Sequence, residues 1–392
     1  MKLKIALIVS NSPGQLTYFG NMAQILSKKY EVHLYLLPQM PKFLSGLAAR
    51  FFALLTKQSS TYSRINNNSK LIMIPRKAIA RIYLFMLSFY ISLKYDIVMS
   101  HDIHWPGAIS TLCAKFFRKK SIIFIVGNYV EEINVRSGRI MYKLLSILEF
   151  ISIHLADIII APDYITKYFK EKGTKAKIVE KTIRVVDAQQ FKYDDKVKKK
   201  YRKKIGIPNS DPVLLFIGWL TEHDGADIAL DIYRALSKEN KNLWLIFIGS
   251  GVLEEYIKKA ITEENLQKVI LTGFVPHSEI HNYMMAGDIG LMPLREPQCG
   301  VGQITLELMA LGIPIIAADV GSLREVIIDY ETGFIVKKDI IWEATQKIKF
   351  LIPNPDLINK IRINARKMVE EDFSQESISA RVFSLIDTCM DS

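Results

Sequence analysis

The chain has 392 residues, 49% of them hydrophobic, and a formal net charge of +12. That length predicts two or three domains with substantial cores, and the apolar content excludes a disordered chain. Three scattered cysteines, Cys113, Cys299 and Cys389, exclude a disulfide scaffold and point to a reducing, cytoplasmic compartment.

Short apolar runs alternate with longer helical patterns along the whole chain. The N-terminal KIALIVS superficially resembles a signal peptide. Its apolar core is short and no small-residue cleavage site follows, so it reads as a first buried strand. EVHLYLL, KLIMI, DIVMS, SIIFIV and DIIIAP are further strands of the first half. VLLFIG, LWLIFIG, VILTGF, DIGLMP and PIIAAD are those of the second. Runs apolar on both faces belong to parallel sheets covered by helices. The expected fold is therefore α/β, with two doubly wound, Rossmann-like domains that bind ligands at the carboxyl ends of their strands. The expected boundaries are 1–187, a linker at 188–211, a second domain at 212–370 and a closing helix within 371–392. The charge-dense KYDDKVKKKYRKK before GIPNSDP reads as a solvated linker helix.

The charge is uneven. Residues 1–187 carry 27 Lys/Arg against 11 Asp/Glu, whereas residues 188–392 carry 25 against 29. Between Glu31 and Asp96 there are nine Lys/Arg and no acidic residue. In segment 41–95 these alternate with bulky apolar residues, as in IPRKAIARIYLFMLSFYISLKY. That texture suits an amphipathic helix on an anionic membrane surface. A buried helix with its basic residues in solvent shows the same pattern. The run Ile82–Leu93 is too short to span a bilayer, which takes ~20 residues. Nucleic acid is a poor fit, since no recognisable binding module is present.

The most telling local pattern is PLREPQCGVGQITLELMALGIPIIAAD. Gly300 and Gly302 separate a strand from a helix beginning near Gln303, where backbone amides would favour a diphosphate. Glu307, one turn in, is an acceptor-only group suited to ribose hydroxyls. Gly218 and Gly249 end two upstream strands and bring further loops to the same sheet edge. In the first half, Asp102 lies between His101 and His104 at a strand end, where it would reach acceptor or donor; a third metal ligand is missing from that group.

In the blocks FIGWL, FIGSG, VILTGFVPHSEIHNYMMAGDIGLMP, LELMALGIPIIAADVGSLREVI and TGFIV the chain resembles the family 4 glycosyltransferases of GT-B fold. The first half is similar more loosely, in SNSPG, YDIVMSHD and HLADIIIAPDYITKYFKEKG. The resemblance implies retaining transfer of a sugar from a nucleotide-diphosphate sugar bound to the second domain. The acceptor, a glycan or lipid-linked glycan, would sit on the first, and no metal cofactor is implied. Glu307 matches the ribose-binding glutamate. The partner glutamate of that motif is replaced by Cys299, the usual Arg and Lys of the first glycine loop by Trp219 and Asp224, and a common histidine by Gly127 or Asn128. Arg295, Asp102 and Cys299 are the candidate catalytic residues, Arg295 as a substitute cation because its planar fork suits phosphate. The losses leave a second reading open, a non-catalytic relative that scaffolds or activates a partner transferase.

Overall fold

The computed structural model describes residues 3–10, 22–37, 76–125, 139–180, 184–295, 301–337 and 339–391. The expected strand KLIMI and positions Gly127 and Asn128 lie outside them, as do residues 41–75 of the basic apolar segment.

The chain divides into two compact units. Unit 1 comprises Met1–Ala161, Phe169–Val179 and Val382–Ser392. Its sheet has the order β2-β1-β3-β4-β5-β6. The strands are β1 (Lys4–Ser10), β2 (Glu31–Leu37), β3 (Ile97–His101), β4 (Lys120–Phe124), β5 (Ile158–Ala161) and β6 (Lys177–Glu180). Three helices of this unit matter below: α1 (Arg76–Lys94), α2 (Trp105–Phe116) and α3 (Arg139–Leu155). Helix α4 (Asp163–Glu171) follows β5.

Unit 2 comprises Pro162–Tyr168 and Glu180–Arg381. Its sheet runs β12-β11-β10-β7-β8-β9, and the described pairings in both sheets are parallel. The strands are β7 (Val213–Ile217), β8 (Trp244–Ile248), β9 (Val269–Leu271), β10 (Ile289–Met292), β11 (Ile315–Ala318) and β12 (Gly333–Val336). The helices are α5 (Asp195–Lys204), α6 (Ala226–Ser237), α7 (Glu254–Glu263), α8 (His277–Met285), α9 (Gln303–Ala310), α10 (Ile340–Leu351) and α11 (Pro355–Asp372).

The alternation of side chains along a strand explains why the sheet of unit 2 needs helices on both faces. Leu215 and Ile217 of β7 join one core with Leu306 of α9 and Ala365 of α11. Their neighbours Leu214 and Phe216 join the other, with Ile232 of α6 and Ile348 of α10. Helix α12 (Gln375–Asp391) starts in unit 2, and from Val382 onward belongs to unit 1. There Asp387 accepts hydrogen bonds from Lys29 at 2.9 Å and Tyr30 at 3.1 Å, and the rings of Tyr30 and Phe383 meet edge to face at 5.7 Å.

The charge-dense stretch before the second sheet does form a helix, α5, capped by Asp194, which accepts from Lys196 N at 2.8 Å. Only one face of it is solvated, contrary to the sequence expectation. Arg202 is 1% exposed. It donates to the carbonyls of Ala286, Asn209 and Asp211 and to Asp288 Oδ2 at 2.6 Å. Lys198 holds the other oxygen of Asp288 at 2.5 Å. Burial pulls the Lys198 ammonium below its ordinary pKa, with Asp288 opposing that shift.

Candidate functional site

Chain order in the second sheet runs outward from β7 and β10, which are hydrogen-bonded neighbours. The topological switch point therefore lies between them, where open α/β sheets bind ligands beyond the strand ends. The loops after β7, β8 and β10 border it.

The first two loops are locked together by backbone contacts. Gly218 N donates to Ile248 O at 3.1 Å, and Leu220 N to Ser250 O at 3.0 Å. Gly249 has φ 141°, and a Cβ there would collide with the carbonyl of Gly218. Gly218 itself has φ 150° with open space where a side chain would stand. The next residue, Trp219, is 66% exposed at the strand edge. Asp224 closes the turn by accepting from Thr221 Oγ1, and Asp224 N donates back to that hydroxyl at 3.1 Å.

The loops after β7 and β10 are joined as tightly. Gly225, at φ 77°, lies against the Pro293 carbonyl so closely that a Cβ could not fit. Arg295 N donates to His223 O at 3.1 Å. The Arg295 guanidinium clamps Asp227 at the start of α6 through two bonds, of 2.7 and 2.5 Å, and also donates to Glu222 O. Burial raises the Asp227 carboxyl, but the Arg295 hydrogen bonds and charge outweigh that and leave its pKa below the ordinary carboxylate value. Arg295 thus serves first to tie two loops of the switch point together. The pairing spans 68 residues, and nothing local in the sequence announces it.

Helix α9 begins at Gly302, which offers no side-chain cap. The first amides of a helix have no acceptor within the helix itself. Glu307 is 0% exposed, and its Oε1 accepts from Gln303 Nε2 at 3.0 Å. Gln303 also donates to Val185 O at 3.3 Å. The sequence reading missed Thr305, whose hydroxyl is buried with no hydrogen-bond partner among the described residues and would be 3.5 Å from a Cβ on Gly302. A hydroxyl in the first turn after a glycine loop was the available signal. Cys299 and Gly300 lie outside the described residues. Glu307, Gly302, Gln303, Gly218, Gly249 and Arg295 all fall on or beside the loops of one sheet edge.

In unit 1 the switch point is between β1 and β3, and Asp102 follows β3 directly. It has φ 78°, a left-handed conformation uncommon for a residue with a Cβ. Its Oδ1 accepts from His104 N at 3.0 Å and lies 3.2 Å from His104 Nδ1. Burial raises the Asp102 carboxyl, yet the His104 hydrogen bonds prevail and lower its pKa. His101 is 4% exposed; burial lowers its pKa, with Asp102 opposing. Among the described residues, no group of three or more His, Cys, Asp or Glu could hold a metal ion.

Residues 197–368 match the family model of glycosyl transferases group 1. Those residues are a group 1 glycosyl transferase domain. The chain is 24% identical over 319 residues to an uncharacterised glycosyltransferase of Methanocaldococcus jannaschii, covering 76% of each. It is 26% identical over 207 residues to the capsular polysaccharide biosynthesis glycosyltransferase CapM of Staphylococcus aureus, covering 52% of each. Of the kanosaminyltransferase of Streptomyces kanamyceticus it covers 44%. The chain thus spans about half the length of the latter two relatives. HepE of Anabaena, solved with UDP, superposes with a TM-score of 0.73 at 18% identity, over 98% of this chain and 100% of that one. A sucrose-phosphate synthase of Thermosynechococcus elongatus gives 0.71 at 16% identity, over 100% of both chains. The fold is GT-B, two parallel-sheet α/β domains, as the sequence blocks implied.

Proposed function

We propose that this chain is a retaining glycosyltransferase that moves a sugar from a nucleotide-diphosphate sugar to a lipid-linked glycan acceptor, in surface glycan assembly on the cytoplasmic face of a membrane. The observation that carries the reading is the uncapped start of α9 at the switch point of unit 2, with Glu307 buried one turn in. Free amides at a helix start favour the diphosphate, and favour it more as negative charge develops on the leaving group. In this reading Gly300, Gly302, Gln303 and Thr305 receive the diphosphate, and Glu307 accepts from the ribose hydroxyls. Gly218 and Gly249 let the donor approach the backbone, while Arg295 and Cys299 border the transferred sugar. Asp102, held ionised by His104, is the carboxylate on the acceptor side. The ligands with which the fold neighbour HepE was solved, UDP and UDP-glucose, and the capsular role of CapM support the donor class and the glycan product.

A second reading, a non-catalytic scaffold or activator, is favoured by the engagement of Arg295 with Asp227 and by Asp224 and Trp219 on the first loop. Titration calorimetry with uridine, guanosine and cytidine diphosphates separates the two. The enzyme reading expects one diphosphate to bind, and Glu307→Gln to weaken it about 10–100-fold, the worth of hydrogen bonds to a charged group. Unchanged affinity in a normally melting Glu307→Gln protein would move the ribose elsewhere. Binding of none of the three leaves the scaffold.

A further inference from the structure

Helix α1 carries large apolar side chains on two faces, and the larger ones lie outside. The face it turns to the core carries Leu84, Ser88, Ile91 and Ser92, each at most 4% exposed. The two serines bond within the helix layer: Ser88 Oγ to Ser110 Oγ at 3.3 Å, and Ser92 Oγ to Ser88 O at 2.8 Å. The opposite face carries Ile82, Phe85, Met86, Phe89 and Leu93, between 40% and 55% exposed. Their spacing makes a continuous stripe along the helix.

Its neighbours follow the same plan. α2 packs against both α1 and α3. It buries Gly107, Ala108, Ser110, Thr111, Cys113 and Ala114, all small, and exposes Leu112 and Phe116, the latter at 76%. α3 buries Ser152 and exposes Ile147 and Phe150 at 57% and 60%. The stripes of α1 and α2 are continuous, since the ring of Phe89 lies 6.4 Å from Phe116 and 4.8 Å from Phe117. Small residues between helices and large apolar ones outside are the arrangement of helices whose surroundings are lipid.

Charge decides the occupant. α1 and α2 contain no acidic residue, and the one in α3, Glu149, is 7% exposed and held by Lys172 at 2.9 Å. Lys94 of α1, Arg118 just after α2 and Lys143 of α3 are exposed. Residues 32–75, which lead into α1, add five Lys/Arg and no acid. Among the described residues no helix is long and apolar enough to cross a membrane.

We infer that the outer face of α1 and α2, flanked by α3, docks onto an anionic phospholipid bilayer, with Phe85, Phe89, Leu93 and Phe116 inserted at the headgroup level. This deepens the reading of a lipid-linked acceptor by giving unit 1 a defined membrane face, but it concerns binding alone and does not depend on turnover. Aromatic and aliphatic side chains bury their area in the acyl boundary, while the basic rim meets lipid phosphate.

Flotation of the full chain tests it, with vesicles of phosphatidylcholine alone and of phosphatidylcholine mixed with phosphatidylglycerol. The expected result is binding to the mixed vesicles, weakened by salt, and at least roughly tenfold weaker in F85E/F116E, since each aromatic loses its buried area. These side chains stand in solvent, so the double variant should melt like the parent. Three outcomes overturn the inference. The parent fails to float, F85E/F116E floats undiminished, or sedimentation shows a dimer that the double variant dissolves, which assigns the face to a second copy. Uridine diphosphate titration on the same preparations reports the donor reading separately, so either can fail alone.

Discussion

Helices α1 and α6 do the same structural work, each covering a parallel sheet, yet they are patterned differently. α6 buries Ile228, Leu230, Ile232, Tyr233 and Leu236. Its outer side holds Asp231 and Arg234, paired with each other at 2.7 Å, and Arg234 also grips Glu264. α1 buries serines at 0% exposure and leaves phenylalanines outside. A helix in water gains stability by hiding its apolar stripe. α6 obeys that rule, whereas α1 hides Leu84 and Ile91 but leaves a second apolar stripe outside.

The comparison breaks most easily at unit 2, whose polar groups are the ones under tension. Asp288→Ala leaves Arg202 buried without its carboxylate, and should cost about 3–5 kcal/mol in urea unfolding of the full chain. A loss under about 1 kcal/mol would mean that the three carbonyls around Arg202 suffice. On α1 the sensitive positions are the small ones. Ser88→Leu should destabilise by about 1–3 kcal/mol, because an added side chain has no room beneath α1. A more stable Ser88→Leu protein would show that α1 sits loosely and that its pattern carries no packing constraint.

The finest test is the pH response of unit 1. Folding lowers the pKa of His101, so the folded state binds that proton less tightly than the unfolded chain. The stabilisation is complete above about pH 6.5 and declines as pH falls below it. Asp102, also lowered, acts in the same direction but only below about pH 4. Urea midpoints between pH 7 and 5 should fall for the parent and fall less for His101→Gln. Equal slopes would remove His101 as the source.

Both sheets were legible in the sequence because strands buried on two faces leave unbroken apolar runs. VLLFI, WLIFI and IVMSH needed no further information. β6, Lys177–Glu180, escaped because KIVE carries charges at both ends and only two apolar residues. The glycines and Glu307 were legible as types in an order, since only certain residues fit a strand–loop–helix edge. The partner of Arg295, 68 residues away, was not, because a side-chain clamp across two loops follows from three-dimensional closure rather than local pattern. Helix α1 was half legible. Its apolar and basic spacing gave an amphipathic helix with either face inward, and only the depth of Ser88 and Ser92 decides the direction.

The division of α12 between the units has a consequence for synthesis. Val382–Ser392 complete unit 1, where Asp387 meets Lys29 and Phe383 meets Tyr30, yet they are translated after all of unit 2. At 5–20 residues per second the ribosome needs on the order of 10–40 s to make Glu180–Arg381. During that interval unit 1 lacks Val382–Ser392. Unit 2, all of whose residues precede Val382, is complete before unit 1 is.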